Sequence, residues 1–354
     1  MSDALTIDRL LDSLPTLRPR GSDHGAPLAL TSDLAWFRTG IVNVAFIGEP
    51  DAGDRGWILV DTGIPGYTEN IVRAAEKRYG AGVRPAAIVL THGHFDHVGS
   101  ATALAQLWDV PIYAHRLEMP YISGRSAYAP PDPTVGGGGM ARMASLYPRG
   151  PVSLGNRVQV LPADGTVPFA PDWRWINTAG HSPGHVSLFR EQDRALIAGD
   201  AFVTTKQESV VSVISQRIEL HGPPMYFTSD WDLSRASVRM LAELEPALAI
   251  TGHGQPMQGD DLRAALHELA DAFDDVARPV HGRYRDRAAV TDESGVLLLP
   301  PPVPDPTKLA LALGAIAAIG LIAFSLRRRP TDDMLATSSS ARRIKGRVSR
   351  RERD

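Results

Sequence analysis

One stretch of the sequence decides the fold: Thr91-His92-Gly93-His94-Phe95-Asp96-His97. It follows the apolar run Ala87-Ile88-Val89-Leu90, which is short and rich in β-branched residues, as buried strands are. The i, i+2 spacing lets the imidazoles of His92 and His94 converge on one ion, while Asp96 and His97 turn toward a second. The stretch therefore predicts a metal site at the end of a strand.

The composition restricts how a metal could be held. The chain has 354 residues, no cysteine and eleven histidines, which leaves imidazole nitrogens and carboxylate oxygens as ligands. Six of the histidines fall in three short motifs that follow predicted strands. Besides the opening stretch, these are Thr178-Ala179-Gly180-His181-Ser182-Pro183-Gly184-His185 and Thr251-Gly252-His253-Gly254, with Ala198-Gly199-Asp200 between them. Their order along the chain favours one shared site over separate turn-forming residues.

Together these motifs resemble the metallo-β-lactamase fold hydrolases, whose pattern is HxHxDH followed by His, Asp and His at strand ends. The resemblance covers residues 35–275 and implies an α/β fold, an αββα sandwich of two mixed β-sheets flanked by helices. It also implies two divalent metal ions, zinc being expected and iron or manganese being alternatives. The implied ligands are His92, His94 and His181 for the first ion, Asp96, His97 and His253 for the second, and Asp200 for both.

Four further residues are candidates for roles around the ions. Asp61 follows the run Trp57-Ile58-Leu59-Val60; it matches an aspartate that orients a ligand imidazole in the family, and it could also cap a turn. His185 is predicted to make structural hydrogen bonds rather than to bind metal. His221 and Tyr226 lie on a loop predicted to face the substrate, as does the glycine-rich loop 124–139, which could equally be a surface insertion.

The predicted reaction is metal-dependent hydrolysis. Water held by two ions ionises near neutral pH and attacks a carbonyl carbon as hydroxide. Asp96 and Asp200 are the predicted catalytic carboxylates, and Asp96 or a bound water returns a proton to the leaving group. The predicted substrate is a small molecule with an ester, thioester, lactone or related acyl bond.

Several relatives of this pattern remain alternatives. Glyoxalase II-like thioesterases need basic residues near the site, and the available Arg142, Lys206, Arg217 and Arg283 form no obvious cluster. Quorum-quenching lactonases have a tyrosine shortly after the bridging aspartate, a place taken here by Ala201-Phe202-Val203-Thr204; Tyr226 could replace it if its loop folds over the site. Persulfide dioxygenase-like relatives bind a single iron, which would make the chain an oxidoreductase. A membrane-tethered binding module without catalysis is disfavoured by the complete ligand set.

The charge distribution argues against a nucleic-acid partner. From Arg327 onward there are ten Lys and Arg against four Asp and Glu, which leaves 27 against 36 in residues 1–326. Because phosphate binding depends on neutralisation by Lys and Arg, this acidic part disfavours an RNase Z-like phosphodiesterase.

The sequence divides into four predicted segments: a hydrolase domain at 1–288, a Pro-rich linker at 289–307, a transmembrane helix at 308–326 and a basic disordered tail at 327–354. The helix is predicted because Leu309–Leu326 carries no charge over 18 residues, just enough to cross a bilayer; an interfacial helix is the alternative. No export signal precedes the domain, which favours a cytoplasmic domain with a C-terminal anchor. The bases Arg327–Arg329 point to the opposite orientation by the positive-inside rule. The oligomeric state is open.

Overall fold

Short apolar runs separated by turn residues form most of the secondary structure. A computed structural model describes residues 25–304. In chain order, the strands are β1 (Leu28–Ala29), β2 (Leu34–Thr39), β3 (Val42–Ile47), β4 (Ile58–Val60), β5 (Ala87–Val89), β6 (Ile112–Ala114), β7 (Val158–Val160), β8 (Thr166–Val167), β9 (Ala170–Asn177), β10 (Val186–Arg190), β11 (Ala195–Gly199), β12 (Leu248–Thr251), β13 (Met257–Gln258), β14 (Val290–Asp292) and β15 (Gly295–Leu298). The helices are α1 (Thr68–Tyr79), α2 (Ala101–Trp108), α3 (Met119–Ile122), α4 (Gly139–Arg142), α5 (Val210–Ser215), α6 (Trp231–Glu243), α7 (Gly259–Asp271) and α8 (Phe273–Val276).

Thirteen of the strands form two mixed sheets. The first has the order β1-β2-β3-β4-β5-β6-β7; its neighbours are antiparallel up to β4 and parallel from β4 onward. The second has the order β13-β12-β11-β10-β9-β8, in which only β11 and β12 are parallel. Parallel neighbours end at the same edge of a sheet, so the residues that follow β4 and β5, or β11 and β12, come out side by side.

Alternation along the strands creates three apolar layers. In β4, Ile58 and Val60 belong to the core between the two sheets, whereas Leu59 faces the outer core with α1 and α2. In β11, Ala195 and Ile197 likewise face the central core, and Leu196 packs with α6 and α7 on the other side. Side chains of a strand point alternately to its two faces, so a strand buried on both faces is apolar throughout. The predicted sandwich of two mixed sheets flanked by helices is confirmed.

The helices on the outer faces are amphipathic. The buried residues of α6 recur every three or four positions: Trp231, Ser234, Ser237, Val238, Leu241 and Ala242. Asp230 begins this helix because its side chain accepts a hydrogen bond of 2.9 Å from the backbone N–H of Leu233, which would otherwise have no partner in the first turn. Burial of this apolar stripe fixes α6 on the second sheet, below the loop that carries His181.

Strands β14 and β15 form a separate hairpin within the range 289–307 that the sequence predicts as a linker. The backbone N–H of Ala289 donates to the carbonyl of Ser229 at 3.1 Å, and that of Val296 to the hydroxyl of Ser126 at 3.3 Å. Leu299 packs against the α6–α7 core. Ordered structure therefore continues beyond residue 288, because the hairpin satisfies its backbone within itself and against the sandwich.

The prediction of a membrane-anchored protein is corrected by the structure. Within residues 25–304, no helix combines the length and apolar character needed to cross a membrane. The longest described helices, α6 and α7, have 13 residues each, which spans about 20 Å against a hydrocarbon core of about 30 Å. The segment 308–326, on which the transmembrane prediction depended, lies outside the described residues, as does the tail 327–354.

Helix α2 offers a matched test of the outer core. Leu104 is fully buried against the first sheet, whereas Leu107 on the same helix is 60% exposed. We expect Leu104→Ala to lower the free energy of unfolding by about 2–5 kcal/mol, because it removes buried methyl groups and leaves a cavity. Leu107→Ala should change it by less than about 0.5 kcal/mol. Urea unfolding followed by circular dichroism measures both, and equal losses would contradict this packing.

Candidate metal centre

Segments that follow five strands meet at one edge of the sandwich. Asp61 follows β4, the stretch 91–97 follows β5, Asp200 follows β11 and His253 lies just after β12. His181 comes from the loop between β9 and β10. The predicted side chains gather here because the carboxyl ends of two parallel strand pairs, one in each sheet, share this edge.

Main-chain hydrogen bonds tie the two sheets together at this edge. The N–H of Val186 in the second sheet donates to the carbonyl of Thr91 after the first sheet, at 2.9 Å. On the other side, the N–H of Asn43 donates to the carbonyl of Gly252 at 2.8 Å, and its amide Nδ2 donates to that of Thr251 at 2.8 Å. These bonds hold the two histidine-bearing loops at fixed separation.

All seven residues predicted as metal ligands come together. They form three overlapping groups whose ligand atoms lie within 4.8 Å of one another: His92, His94 and His181; His92, His97 and Asp200; and Asp96, His97 and His253. Every one of the seven is buried, Asp96 being the most exposed at 7%. Nδ1 of His94 lies 2.9 Å from Nε2 of His181, too close for both nitrogens to carry protons.

Asp200 occupies the middle of this arrangement. Its Oδ1 lies 3.6 Å from Nε2 of His97, and its Oδ2 lies 3.4 Å from Nε2 of His181 and 3.2 Å from Nε2 of His253. On the outer side, Oδ2 of Asp96 lies 3.5 Å from Nε2 of His253. One carboxylate thus faces imidazoles from both ends of the cluster.

Several central atoms lack hydrogen-bond partners among the described residues. They are Nε2 of His92, Nε2 of His97 and Oδ1 of Asp200, each buried from solvent. Leaving buried polar atoms unpaired is costly, so such atoms in a folded protein indicate a ligand. Imidazole nitrogens and carboxylate oxygens suit zinc, iron or manganese, and the donor set therefore fits a divalent metal.

Two opposite pKa shifts divide the imidazoles. Burial and the neighbouring imidazoles hold the pKa of His92 and His181 well below its usual value, and burial lowers the pKa of His94 to about 3. Burial also acts to lower the pKa of His97, but the carboxylates of Asp200 and Asp61 outweigh it and raise that pKa well above its usual value. The first three are therefore neutral and keep a lone pair for a metal, while the position of His97 favours positive charge.

Asp61 orients two of the imidazoles. Its Oδ2 accepts from Nδ1 of His97 at 2.8 Å and from the hydroxyl of Thr91 at 2.7 Å. That hydroxyl lies 3.1 Å from Nδ1 of His92 and can accept its proton. In the neutral imidazoles, with the Nδ1 protons held in this way, Nε2 of His92 and of His97 keeps the lone pair that a metal needs. The carbonyl of Ile41 does the same for His253, 2.8 Å from its Nδ1.

His185 has both ring nitrogens engaged by the protein. Its Nε2 accepts from the backbone N–H of Asp200 at 2.8 Å, so its Nδ1 carries the proton and donates to the hydroxyl of Thr178 at 2.8 Å. This places His185 behind Asp200 in a structural role and leaves it outside the three ligand groups.

The two candidates for substrate contact differ in position. Tyr226 is 4% exposed and packs beside Phe227, whose ring centroid lies 4.7 Å from that of His94. His221 instead directs Nε2 toward Oε1 of Glu219, 3.0 Å away, and its backbone pairs with Val203. The structure thus places Tyr226 one ring away from His94. His221 faces Glu219, and its Nε2 has no hydrogen-bond partner among the described residues.

Glu118 is a buried residue of this site that the sequence analysis missed. Its Oε1 accepts from the hydroxyl of Ser182 at 2.8 Å and from the N–H of Gly184 at 2.7 Å; its Oε2 accepts from the N–H of Gly93 at 2.9 Å and from the hydroxyl of Tyr128. Burial raises the pKa of this carboxyl, against the opposing effect of the four donors. Glu118 therefore joins the His92–His94 loop to the His181 loop. The signal available was its position just after a strand, here β6.

A small cavity opens beside His94 and His181. Its walls are His94, Tyr121, Tyr128, Ala129, His181, Pro183, Phe227, Ser229 and Thr291. Thr291 belongs to strand β14, so the C-terminal hairpin supplies one wall of the cavity that meets the candidate ligands.

Comparisons with known proteins agree with this geometry. Residues 38–253 match the model of the metallo-β-lactamase superfamily. The chain is 45% identical over 236 residues to YflN, a probable metallo-hydrolase of Bacillus subtilis (strain 168). The aligned region covers 67% of this chain and 89% of that protein. Identity to another probable metallo-hydrolase of the same organism, YybB, is 34% over 197 residues, 56% of this chain and 75% of that protein. A crystal structure of a β-lactamase domain protein from Burkholderia ambifaria shares the fold, with a TM-score of 0.51 and 22% identity over 71% of this chain and 77% of that one.

The chain belongs to the metallo-β-lactamase superfamily. With its cluster of histidines and aspartates at the shared sheet edge, it is a metallo-hydrolase that binds divalent metal ions. The family expected from the stretch 91–97 is confirmed.

The contacts of Asp61 generate a prediction about metal affinity. We expect Asp61→Asn to weaken binding of a divalent metal by about 10–100-fold, because an amide orients and polarises the imidazole of His97 less than a carboxylate does. Titration of the metal-free protein against a chromophoric chelator measures this. Asp54→Asn, at an exposed carboxylate paired with Arg84, is the matched control. If Asp61→Asn binds the metal as tightly as the unaltered protein does, Asp61 does not orient the imidazole of His97.

The contacts of Glu118 generate a prediction about stability. Glu118→Gln should lower the free energy of unfolding by about 3 kcal/mol or more, because a charged acceptor of four hydrogen bonds becomes a neutral amide whose NH₂ group opposes some of the donors. Chemical unfolding gives the value. Glu69→Gln, at an exposed glutamate of α1, should change it by less than about 0.5 kcal/mol. A loss in Glu118→Gln no larger than in this control would refute the cross-link between the two loops.

Proposed function

We propose that this chain is a binuclear metal-dependent hydrolase that cleaves an ester, thioester, lactone or related acyl bond of a small molecule. The observation that carries the proposal is the position of Asp200. Its Oδ1 faces His97 and its Oδ2 faces His181 and His253, which is the arrangement needed for a carboxylate shared by two ions.

The proposed ligand sets follow the two ends of the cluster. His92, His94 and His181 would hold one ion, and Asp96, His97 and His253 the other, with Asp200 between them. Zinc is the proposed metal because it takes imidazole and carboxylate together; iron and manganese accept the same donors. When bound, two such ions supply an activated water and Lewis acidity toward a carbonyl oxygen.

The protein side chains then have three tasks. Asp61, Ile41 and His185 hold His97, His253 and Asp200 in place through the hydrogen bonds described above. Phe227 packs against His94 with Tyr226 behind it, and both rings are buried. They shield this side of the centre from bulk water, which strengthens electrostatic interactions within it. Asp96 is the most exposed of the seven, so it is the carboxylate placed to pass a proton to a departing group.

Two of the four candidate basic residues, Arg217 and Arg283, favour an acyl substrate without an anionic leaving group such as glutathione. Nε of Arg283 donates to the carbonyl of Pro300 at 2.7 Å, and Arg217 is paired with Glu219 at 3.7 Å. Both guanidinium groups are therefore engaged within the protein. The acidic balance of residues 1–326 likewise supports a small molecule over a nucleic acid.

A hydrolysis panel tests the proposal. The protein should cleave at least one of a set of esters, thioesters, lactones, β-lactams and phosphodiesters, with an acyl compound being the best substrate. His94→Ala and Asp200→Ala should reduce that activity below detection, because each removes a proposed ligand. His267→Ala, at a half-exposed histidine of α7 paired with Glu245, is the control and should retain it. Full activity in both ligand variants would refute the proposed centre.

Metal analysis of the same preparation tests the number of ions. We expect two divalent ions per chain and equal activity with and without dioxygen. A single iron per chain, with activity that requires dioxygen, would instead establish the oxidoreductase alternative.

A further inference from the structure

An apolar cluster adjoins the candidate metal ligands. Phe227 lies against His94, with ring centroids 4.7 Å apart, and Phe95 lies 6.2 Å from Phe227 and 6.2 Å from Tyr147. Met140 joins the same cluster, since the hydroxyl of Tyr147 donates to its carbonyl at 3.1 Å. The polar end of Tyr147 is thus satisfied within the cluster, and the ring is left as an apolar surface.

The same apolar surface continues outward to solvent. Leu146 and Met143, on the segment that carries Met140 and Tyr147, are 74% and 38% exposed. The N–H of Met140 donates to the carbonyl of Glu208 at 3.0 Å, which places this segment beside α5, where Val211 is 76% exposed. Exposed large apolar side chains grouped beside a site indicate that something apolar is bound there.

We name this surface the apolar strip and define it by Phe227, Phe95, Tyr147, Met140, Met143 and Leu146. Its inner end touches a proposed metal ligand, and its outer end is open to solvent. The charged groups beside it are few. Asp96 belongs to the metal centre, Glu208 is buried with Oε1 accepting from the N–H of Met225 at 2.8 Å, and Arg142 is the one base of residues 139–147.

We propose that the substrate of this hydrolase carries an apolar acyl chain, which lies along the apolar strip while its carbonyl is at the metal centre. The inference rests on the proposed function and adds the class of acyl group. The contact of Phe227 with His94 places the inner end of the strip at the metal centre, which favours a substrate over a second protein as its occupant.

A chain-length series measures the inference directly. Acetyl, butyryl, hexanoyl and octanoyl thioesters of one common thiol differ only in the acyl group. We expect kcat/KM to rise with each added methylene, by up to about fourfold where the methylene is fully buried. A succinyl thioester, which matches butyryl in length but ends in a carboxylate, should be the poorer substrate of that pair.

A matched pair of variants locates the effect. Leu146→Ser should lower the ratio of octanoyl to acetyl kcat/KM by about 3–10-fold, chiefly through the KM for octanoyl. Leu107→Ser replaces a leucine of similar exposure on α2, which packs on the outer face of the first sheet, and should leave the ratio unchanged.

The outcomes separate the two proposals. Hydrolysis of the acetyl thioester with no rise along the series, or a preference for succinyl over butyryl, would overturn the apolar strip and leave the hydrolase intact. The molar mass in solution gives a further test. If the unaltered protein is a dimer and Leu146→Ser is a monomer with an unchanged ratio, the apolar strip joins two copies of the chain and the inference is overturned. If no acyl compound of any length is cleaved by the metal-loaded protein, the proposed function fails and the inference with it.

Discussion

The structure depends on bringing seven polar side chains out of water at one edge of an otherwise apolar sandwich. Imidazoles and carboxylates buried together are costly unless each atom has a partner. Here the outward-facing atoms are satisfied by the protein, through Asp61, Ile41 and His185, while central atoms such as Nε2 of His92 and Oδ1 of Asp200 are left for a metal. Sheets tied edge to edge by main-chain hydrogen bonds keep this arrangement from relaxing. The fold therefore serves chiefly to hold buried nitrogen and oxygen donors in groups that a divalent cation can bind.

Much of this could be predicted from the sequence because the information is local. The run 87–90 is apolar at every position since both faces of β5 are buried, and the ligands sit directly after strands, within short motifs. The run 87–90, predicted as a buried strand, corresponds to β5 with one residue fewer.

What could not be predicted depends on contacts between distant parts of the chain. Glu118 lies 25 residues from Gly93 and 66 from Gly184, and no spacing connects it with either. The hairpin at 290–298 is followed by Pro300, Pro301 and Pro302, and that composition suggested a linker. The contacts of this segment with Ser126 and Ser229 are visible only in three dimensions. The predicted membrane anchor is a different case. It depended on the charge-free stretch 309–326, which lies outside the described residues, and no helix within residues 25–304 is long and apolar enough to cross a membrane.

The C-terminal hairpin has a consequence for where this protein can be divided. Thr291 forms part of the cavity wall next to His94 and His181, and Ala289 is bonded to Ser229, just before α6. A fragment ending at residue 288, where composition alone places the domain boundary, would retain every proposed ligand and still lack part of the enclosure around them. The functional unit is thus larger than the set of motifs that identifies it, and any gene fusion or shortened version of the chain must keep residues up to about 300 to preserve the shape of the site.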